Sequence, residues 1–218
     1  MKKCIFILTI TIIGNQFQSF AQLSQGSIVV GGNLSFSAGS SKTEYSNSTV
    51  DGPKTVNFSI MPNAEYFLTE NFSAGIGMGY SLVKNTSKST NTETVNKTGS
   101  FQISPFVRKY FPLGDKAFFY GQVGADFGFG KTTNESKTGN ITVSSESKNQ
   151  QISLGITPGF RYNVTEKIGL EAGIGFIGFN HSVNSSGSGN NKVDHISNSF
   201  QFQIAPNYLV FGIRYKLN

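Results

Sequence analysis

The chain is poor in the residues that most catalytic and cofactor sites require. It has 1 cysteine, 2 histidines and no tryptophan among 218 residues, and charged residues make up only 14 %. Since Cys4 is near the amino terminus, the rest of the chain has no thiol for a disulfide, an iron–sulfur cluster or a cysteine zinc site. It also has no apolar run of the roughly 20 residues that a membrane-spanning helix needs.

The amino-terminal residues have the features of a secretory signal peptide. Lys2 and Lys3 precede an apolar run over residues 4–13, and Ser19 and Ala21 place small side chains where a signal peptidase reads the chain. We therefore predict a signal peptide over 1–21 and a single exported domain over 22–218. The domain would be exported without helical insertion into a membrane.

Net charge excludes one class of partner. The chain has 18 Lys plus Arg against 12 Asp plus Glu, and removing Lys2 and Lys3 leaves 16 against 12, a net charge of +4. A charge this small and this dispersed does not indicate nucleic-acid binding. The 25 glycines, 20 phenylalanines and 8 tyrosines are instead typical of a β protein.

Apolar and polar side chains alternate along the chain with a period of two, which predicts β-strands. Over 72–82, for example, Phe72, Ala74, Ile76, Met78, Tyr80 and Leu82 share one face, and Ser and Gly occupy the other. The same alternation predicts eight strands of roughly 10 to 15 residues, a length suited to a tilted membrane-spanning strand.

A short pattern repeats about every fifty residues and marks four similar two-strand units. It reads FSIMP at 58–62, FQISP at 101–105, LGITP at 154–158 and FQIAP at 202–206. Each copy places a proline inside a predicted strand, although proline removes a hydrogen-bond donor from a sheet. We expect a repeated bulge or bend at Pro62, Pro105, Pro158 and Pro206.

The predicted connections alternate between short and long. Short turns fall at 68–71, 112–116 and 165–167, and long polar segments, expected to be structureless loops, fall near 40–54, 84–98, 131–149 and 180–197. Short periplasmic turns and long extracellular loops are typical of outer-membrane barrels. Because hydrocarbon offers no partner for backbone polar groups, the first strand must join the last. The fold class is therefore all-β, a closed antiparallel up-and-down eight-stranded transmembrane β-barrel.

Two sets of side chains follow from this fold. An eight-stranded barrel is just wide enough for side chains to fill it, so the charges on the inward face should pair as a plug: Glu65, Arg108, Asp126, Arg161, Glu171 and Arg214. Aromatic residues near the short turns should form a girdle at the lipid–water interface: Tyr66, Phe72, Tyr110, Phe118, Phe119, Tyr162 and Tyr215.

The signal peptide, the eight strands and the closing run FGIRYKLN at 211–218 resemble the outer-membrane β-barrel domain family, the small barrels similar to OmpX and to the transmembrane part of OmpA. The resemblance covers nearly all of the exported chain. It implies insertion by the barrel-assembly machinery, which usually recognises a terminal aromatic residue. This chain ends in Leu217 and Asn218 instead, and Tyr215 is its nearest aromatic residue.

Three further motifs do not support a cofactor, metal or catalytic site. The dinucleotide-like run GIGFIG at 173–178 lies within a strand, without the helix that such a site needs. His181 and His195 could form a metal pair, or His181 and Ser182 could serve a lipid esterase. No third ligand or orienting acid has a suitable spacing, so both histidines are expected to be solvated loop residues. We predict no catalytic residues, no metal site and no cofactor.

The sequence thus favours a non-enzymatic, monomeric outer-membrane barrel with a side-chain-filled lumen that serves envelope integrity or surface contacts. Expected partners are outer-membrane lipid, lipopolysaccharide and an extracellular protein or glycan. Modestly basic loops could favour anionic head groups. A lipid-modifying enzyme, a narrow channel for small solutes and a soluble periplasmic sandwich or lipocalin-like barrel are the alternatives.

Overall fold

The computed structural model describes residues 23–45, 48–89, 91–187, 191–204 and 210–217. The predicted signal peptide and Pro206 lie outside these residues. Ten antiparallel strands make up the described chain: β1 Ile28–Tyr45, β2 Ser48–Thr69, β3 Phe72–Ser89, β4 Thr92–Pro112, β5 Ala117–Thr138, β6 Ile141–Asn163, β7 Ile168–Gly173, β8 Gly175–Ser186, β9 Val193–Ile204 and β10 Val210–Lys216. The described residues include no helix that is long and apolar enough to span a membrane.

The strands form a closed ring. From β1 to β7, each strand pairs with the next along the chain, and β10 joins β7 to β1. The closing register joins Val29 to Lys216 and Gly32 to Ile213. β8 pairs with β6, and β9 pairs with β8. The seventh predicted strand is therefore present in two parts, β7 and β8, and the eighth is present as β9 and β10. The eight-stranded antiparallel ring is the fold that the alternation predicts.

The distribution of exposure is the inverse of that in a soluble protein. Ile76, Leu154 and Phe211 point outward and are 49 %, 58 % and 70 % exposed, whereas the charged Glu65 and Arg161 inside the ring are 1 % and 3 % exposed. An apolar outer face over a polar interior is the arrangement that a lipid environment favours. It is the reverse of the soluble sandwich or lipocalin-like alternative.

The two ends of the ring differ in their connections. At one end, turns of a few residues join β2 to β3, β4 to β5 and β6 to β7, and the β4–β5 turn is closed by Leu113 N–H donating to Ala117 O at 2.8 Å. At the other end, the strand pairs β1–β2, β3–β4, β5–β6 and β8–β9 continue past the apolar band as four hairpin extensions. In the β5–β6 extension, for example, pairing continues from Gly130 opposite Asn149 to Thr138 opposite Ile141. The expectation of structureless loops is therefore wrong. Alternating Thr, Ser and Asn side chains support cross-strand pairing there as well.

The strand prolines disturb the ladder in two different ways. At Pro62 and Pro105 the pairing to one neighbouring strand is interrupted, but the register resumes unchanged on both sides. Of the expected bulge or bend, the bulge is wrong at these two positions, because the missing donor removes a hydrogen bond without inserting a residue. At Pro158 the register across to β7 and β8 does shift by one residue, and Ile174 N–H donates to Pro158 O at 3.0 Å.

Candidate functional site

The floor of the lumen is an apolar cluster at the short-turn end. It comprises Leu23, Val29, Phe67, Tyr110, Phe118 and Tyr120. The rings of Phe67 and Tyr110 stack with centroids 5.5 Å apart, and Phe118 meets Tyr110 edge-on at 6.3 Å. Leu23, which precedes β1, is buried in this cluster. Large apolar groups therefore fill the barrel below the charged residues.

Glu65 on β2 is the centre of the first group of charges. Its carboxylate accepts hydrogen bonds from Ser73 Oγ at 3.0 Å, Tyr110 Oη at 3.0 Å and Arg161 Nη1 at 3.1 Å. Arg108 Nη1 lies 3.6 Å from the same carboxylate. All of these partners are buried, so the negative charge is compensated by two guanidinium groups and two hydroxyls.

Glu171 on β7 is the centre of the second group. It accepts a hydrogen bond from Arg108 Nη1 at 3.0 Å and another from Arg214 Nη2. Arg108 also donates to Tyr110 Oη at 2.9 Å and to Gln122 Oε1 at 2.6 Å, and its guanidinium carbon lies 4.2 Å from the ring centroid of Tyr120. Arg108 therefore joins the two carboxylates into one network.

Five of the six predicted lumen charges belong to this network, which we call the plug: Glu65, Arg108, Arg161, Glu171 and Arg214. Asp126 lies outside it and accepts a hydrogen bond from Gln102 Nε2 at 2.9 Å. The plug thus has three guanidinium groups and two carboxylates. Alternation on β4 could have identified Tyr110 as a hydrogen-bonding partner of the plug, because Tyr110 is two residues beyond Arg108 and must share its face.

Above the plug the lumen is open and polar. A cavity of about 320 Å³ is lined by Asn63, Asp126 and Arg214, among others. Asn63 Oδ1 and two guanidinium nitrogens of Arg214 have no hydrogen-bond partner among the described residues. A polar cavity of this volume has room for several ordered waters that would satisfy them.

On β4 and β5, the inner face of the hairpin extensions has uncharged polar side chains. Thr98 and Thr132 share a hydrogen bond of 2.9 Å, and Asn96 donates to Asn134 at 2.6 Å. Near the tip of the last hairpin, hydrogen bonds from the Ser185 hydroxyl and from Lys192 lower the pKa of the Asp194 carboxyl group.

The predicted aromatic girdle divides into two groups. Tyr66, Tyr162 and Tyr215 are outward-facing and 47 %, 51 % and 42 % exposed. Phe119 is also outward, against Phe111 and Phe160, and Phe72 pairs with outward Lys109.

The girdle assignment is wrong for Tyr110 and Phe118, which are buried in the lumen floor. Tyr110 is two residues from the inward Arg108 on β4, and Phe118 is two residues from the inward Tyr120 on β5, so both share the inward face. Their position near the short turns determines their height in the barrel, but not which face they occupy.

The two histidines lie on opposite faces of the β8–β9 hairpin. His195 is on the inner face, because its register partner Asn184 pairs in turn with the inward-facing Asn149. His181 is on the outer face, and its Nδ1 lies 2.7 Å from Asn198 Oδ1. Ser182 follows His181 directly and so points to the other face. Among the described residues, no group of three His, Cys, Asp or Glu side chains is placed to hold a metal ion.

Comparisons with known proteins agree with this architecture. A family model described as "Outer membrane protein beta-barrel domain" matches residues 20–184. No curated protein matches the chain.

Similar solved structures include three small barrels. Neisserial surface protein A is 17 % identical, with a TM-score of 0.43, and the match covers 88 % of this chain and 100 % of that one. OprG from Pseudomonas aeruginosa is 10 % identical, with a TM-score of 0.44, and coverage is 92 % and 100 %. Ail of Yersinia pestis is 14 % identical, with a TM-score of 0.34, and coverage is 88 % and 99 %.

Proposed function

The chain belongs to the outer membrane protein β-barrel domain family, and from that premise we propose that it is a non-enzymatic barrel whose lumen is closed to solutes. In this role the transmembrane ring anchors a surface made by the four hairpin extensions. That surface serves envelope integrity or contact with an extracellular protein or glycan. The barrel acts as a monomer and is inserted by the barrel-assembly machinery.

One observation carries the closed lumen. Glu65 on β2 and Arg161 on β6 come from strands four places apart in a ring of eight, and their ion pair measures 3.1 Å. A direct contact between opposite walls obstructs the lumen, and Arg108 on β4 reaches Glu171 on β7 across the same space. Below it, Phe67 and Phe118 fill the floor. Each layer would have to rearrange before a solute could pass.

The non-enzymatic role is supported by the positions of the reactive side chains. His181 and Ser182 point to opposite faces of β8, and His181 contacts an amide oxygen of Asn198 rather than a carboxylate. A serine hydrolase needs its base within hydrogen-bonding reach of the nucleophile and an orienting group beyond the base. The described residues of this hairpin do not form that arrangement.

Solute flux into lipid vesicles tests the closed lumen. Refolded protein should leave the swelling rate of vesicles in arabinose or glycine equal to that of protein-free vesicles. Heat-dependent gel migration should confirm that the protein is folded in the same sample. Swelling that increases in proportion to the amount of folded protein would instead indicate a narrow channel.

Shortening a hairpin tests the surface role. In the β5–β6 extension, residues 133–146 can be replaced by a two-residue Asn-Gly turn, because Thr132 and Ser147 are register partners. We expect the barrel to fold and a surface phenotype, such as adhesion or antibiotic resistance, to weaken. If all four hairpins can be shortened one at a time without any such change, the surface role is wrong.

A further inference from the structure

Five lysines form a belt on the outer surface, just beyond the extracellular edge of the apolar band. The lysine belt consists of Lys54 on β2, Lys84 on β3, Lys97 on β4, Lys131 on β5 and Lys148 on β6. All five side chains are exposed. Each has the parity of outward apolar residues on its own strand, such as Val56, Tyr80, Phe101, Phe129 and Ile152.

The belt keeps a nearly constant height above the girdle end. On β2, 12 residues separate Lys54 from Tyr66, and on β6, 14 residues separate Lys148 from Tyr162. At about 3.3 Å per residue and a tilt of about 40°, 12 residues span roughly 30 Å along the membrane normal. The hydrocarbon core of a bilayer has about that thickness, so the lysines lie at the head-group level of the outer leaflet.

The register confirms that the belt is parallel to the membrane plane. Lys84 is directly opposite Lys97, while Lys131 is opposite Gly99, two residues closer to the girdle. Lys54 lies two residues beyond Val56, the partner of Lys84. The belt therefore shifts toward the girdle by two residues between β2 and β3 and again between β4 and β5. This average of one residue per strand is what a level line requires when it crosses tilted strands.

The belt has more positive charge than its surroundings compensate. Lys84 faces Lys97 directly, and Lys131 faces Lys148 directly. Like charges opposite each other in a sheet repel. Lys131 does form an ion pair with Glu146, with Nζ and Oε1 2.7 Å apart. For the other four lysines, no carboxylate of the described residues lies within 4 Å.

We propose that the lysine belt binds the phosphate groups of lipopolysaccharide, the phosphorylated glycolipid of the outer leaflet. Phosphates at the head-group level would lie beside the ammonium groups, and they would relieve the repulsion between the opposed lysines. The acyl chains would pack on the apolar face directly below, against Leu82 and Phe129, which precede Lys84 and Lys131 on the outward face.

The belt occupies one side of the barrel. On β8, the outward positions beside Gln150 and Lys148 are Val183 and Ser185. Their register partners on β9 are Ile196 and Asp194. None of these four residues is a lysine, so the belt does not continue onto β8 and β9 at this height. Glycolipid phosphate should therefore bind beside β2 to β6 rather than around the whole circumference. This inference depends on the outward orientation of the lysines and not on whether the lumen conducts.

The test is a titration of folded protein in detergent with fluorescent lipopolysaccharide. The belt variant carries Lys84→Gln, Lys97→Gln, Lys131→Gln and Lys148→Gln. The control variant loses the same charge at the hairpin tips and periplasmic turns, through Lys88→Gln, Lys137→Gln, Lys116→Gln and Lys167→Gln. Chemically dephosphorylated lipopolysaccharide is the second probe, and heat-dependent gel migration checks that each variant is folded.

We expect the belt variant to bind at least about tenfold more weakly than the unmodified protein and the control variant to bind within about twofold of it. The unmodified protein should bind the dephosphorylated lipid as weakly as the belt variant binds the native lipid. Equal losses in the belt and control variants, or equal affinity for both lipids, would overturn the proposal. If the belt variant does not fold, Lys84→Gln with Lys97→Gln replaces it, and an unchanged affinity in that pair would also overturn it.

Discussion

Glu65 and Arg161 are 96 residues apart in the chain, yet their side chains meet inside the ring with Arg161 Nη1 3.1 Å from Glu65 Oε1. Their strands, β2 and β6, lie on opposite walls. The pair therefore holds the two halves of the barrel together across its full width. Because both side chains are nearly inaccessible, neither charge can be left unpaired without a large cost.

Neutralising Glu65 should destabilise the barrel strongly. Glu65→Gln leaves Arg161 and Arg108 buried without their shared carboxylate, and we expect a loss of about 3 kcal/mol or more in the free energy of unfolding. Urea unfolding of the protein in lipid vesicles measures this loss. Glu135→Gln, on the exposed outer face, should change the free energy by less than about 0.5 kcal/mol.

The coupling between the two residues can be measured separately. The double variant Glu65→Gln with Arg161→Gln should recover part of the loss, since one unpaired guanidinium group is removed together with the carboxylate. Additive losses in the two single variants would mean that the ion pair does not couple β2 to β6.

Tyr110 should contribute to stability through its hydroxyl group. That group donates to Glu65 and accepts from Arg108, so Tyr110→Phe leaves both charged groups short of a partner in a buried site. We expect a loss of about 1–3 kcal/mol. The matched change Tyr66→Phe, on the outward face, should have a smaller effect, and equal effects from the two variants would contradict the inward placement of Tyr110.

Packing inside the barrel can be tested at two glycines. A Cβ atom at Gly159 would overlap the Tyr120 ring, whereas a Cβ atom at Gly121 would meet nothing within 4 Å. Gly159→Ala should therefore lower stability by about 1–3 kcal/mol. Gly121→Ala provides the control on the neighbouring strand and should be nearly neutral. The two variants are compared by their urea midpoints.

The outward apolar face can be tested by introducing a charge. Met78 is halfway between Phe72 and Lys84 on β3 and is 53 % exposed. Met78→Lys should cost about 2–4 kcal/mol in lipid, because its charge would lie near the bilayer midplane. Ser144→Lys, in a hairpin extension, should be nearly neutral. If Met78→Lys were equally neutral, the outer face would not be the lipid-facing one.

Much of this fold could be predicted from period-two alternation alone. The inward parity of Glu65, Arg108 and Arg161 follows directly from the apolar residues on either side of them. The same rule places Tyr110 and Phe118 inside, but their closeness to the short turns suggested the girdle instead. Which of the inward residues touch each other could not be predicted, because contacts across the lumen depend on the shear and diameter of the ring.

The hairpin extensions show a different limit. Residues 84–98 and 131–149 are rich in Ser, Thr, Asn and Lys, which resembles loop composition. Their regular pairing, including Thr98 with Thr132, depends on neighbouring strands that are already aligned by the membrane-spanning ring. These strands could therefore not be predicted from local composition, because their pairing depends on tertiary context.

Planar-bilayer recording of single refolded barrels tests the central claim most directly. The unmodified protein should show no steady conductance, because Glu65 and Arg161 join opposite walls above the apolar floor. An open porin recorded in the same bilayer demonstrates that the recording detects inserted barrels, and heat-dependent gel migration confirms that the protein added is folded. A steady conductance from the unmodified protein would contradict the account.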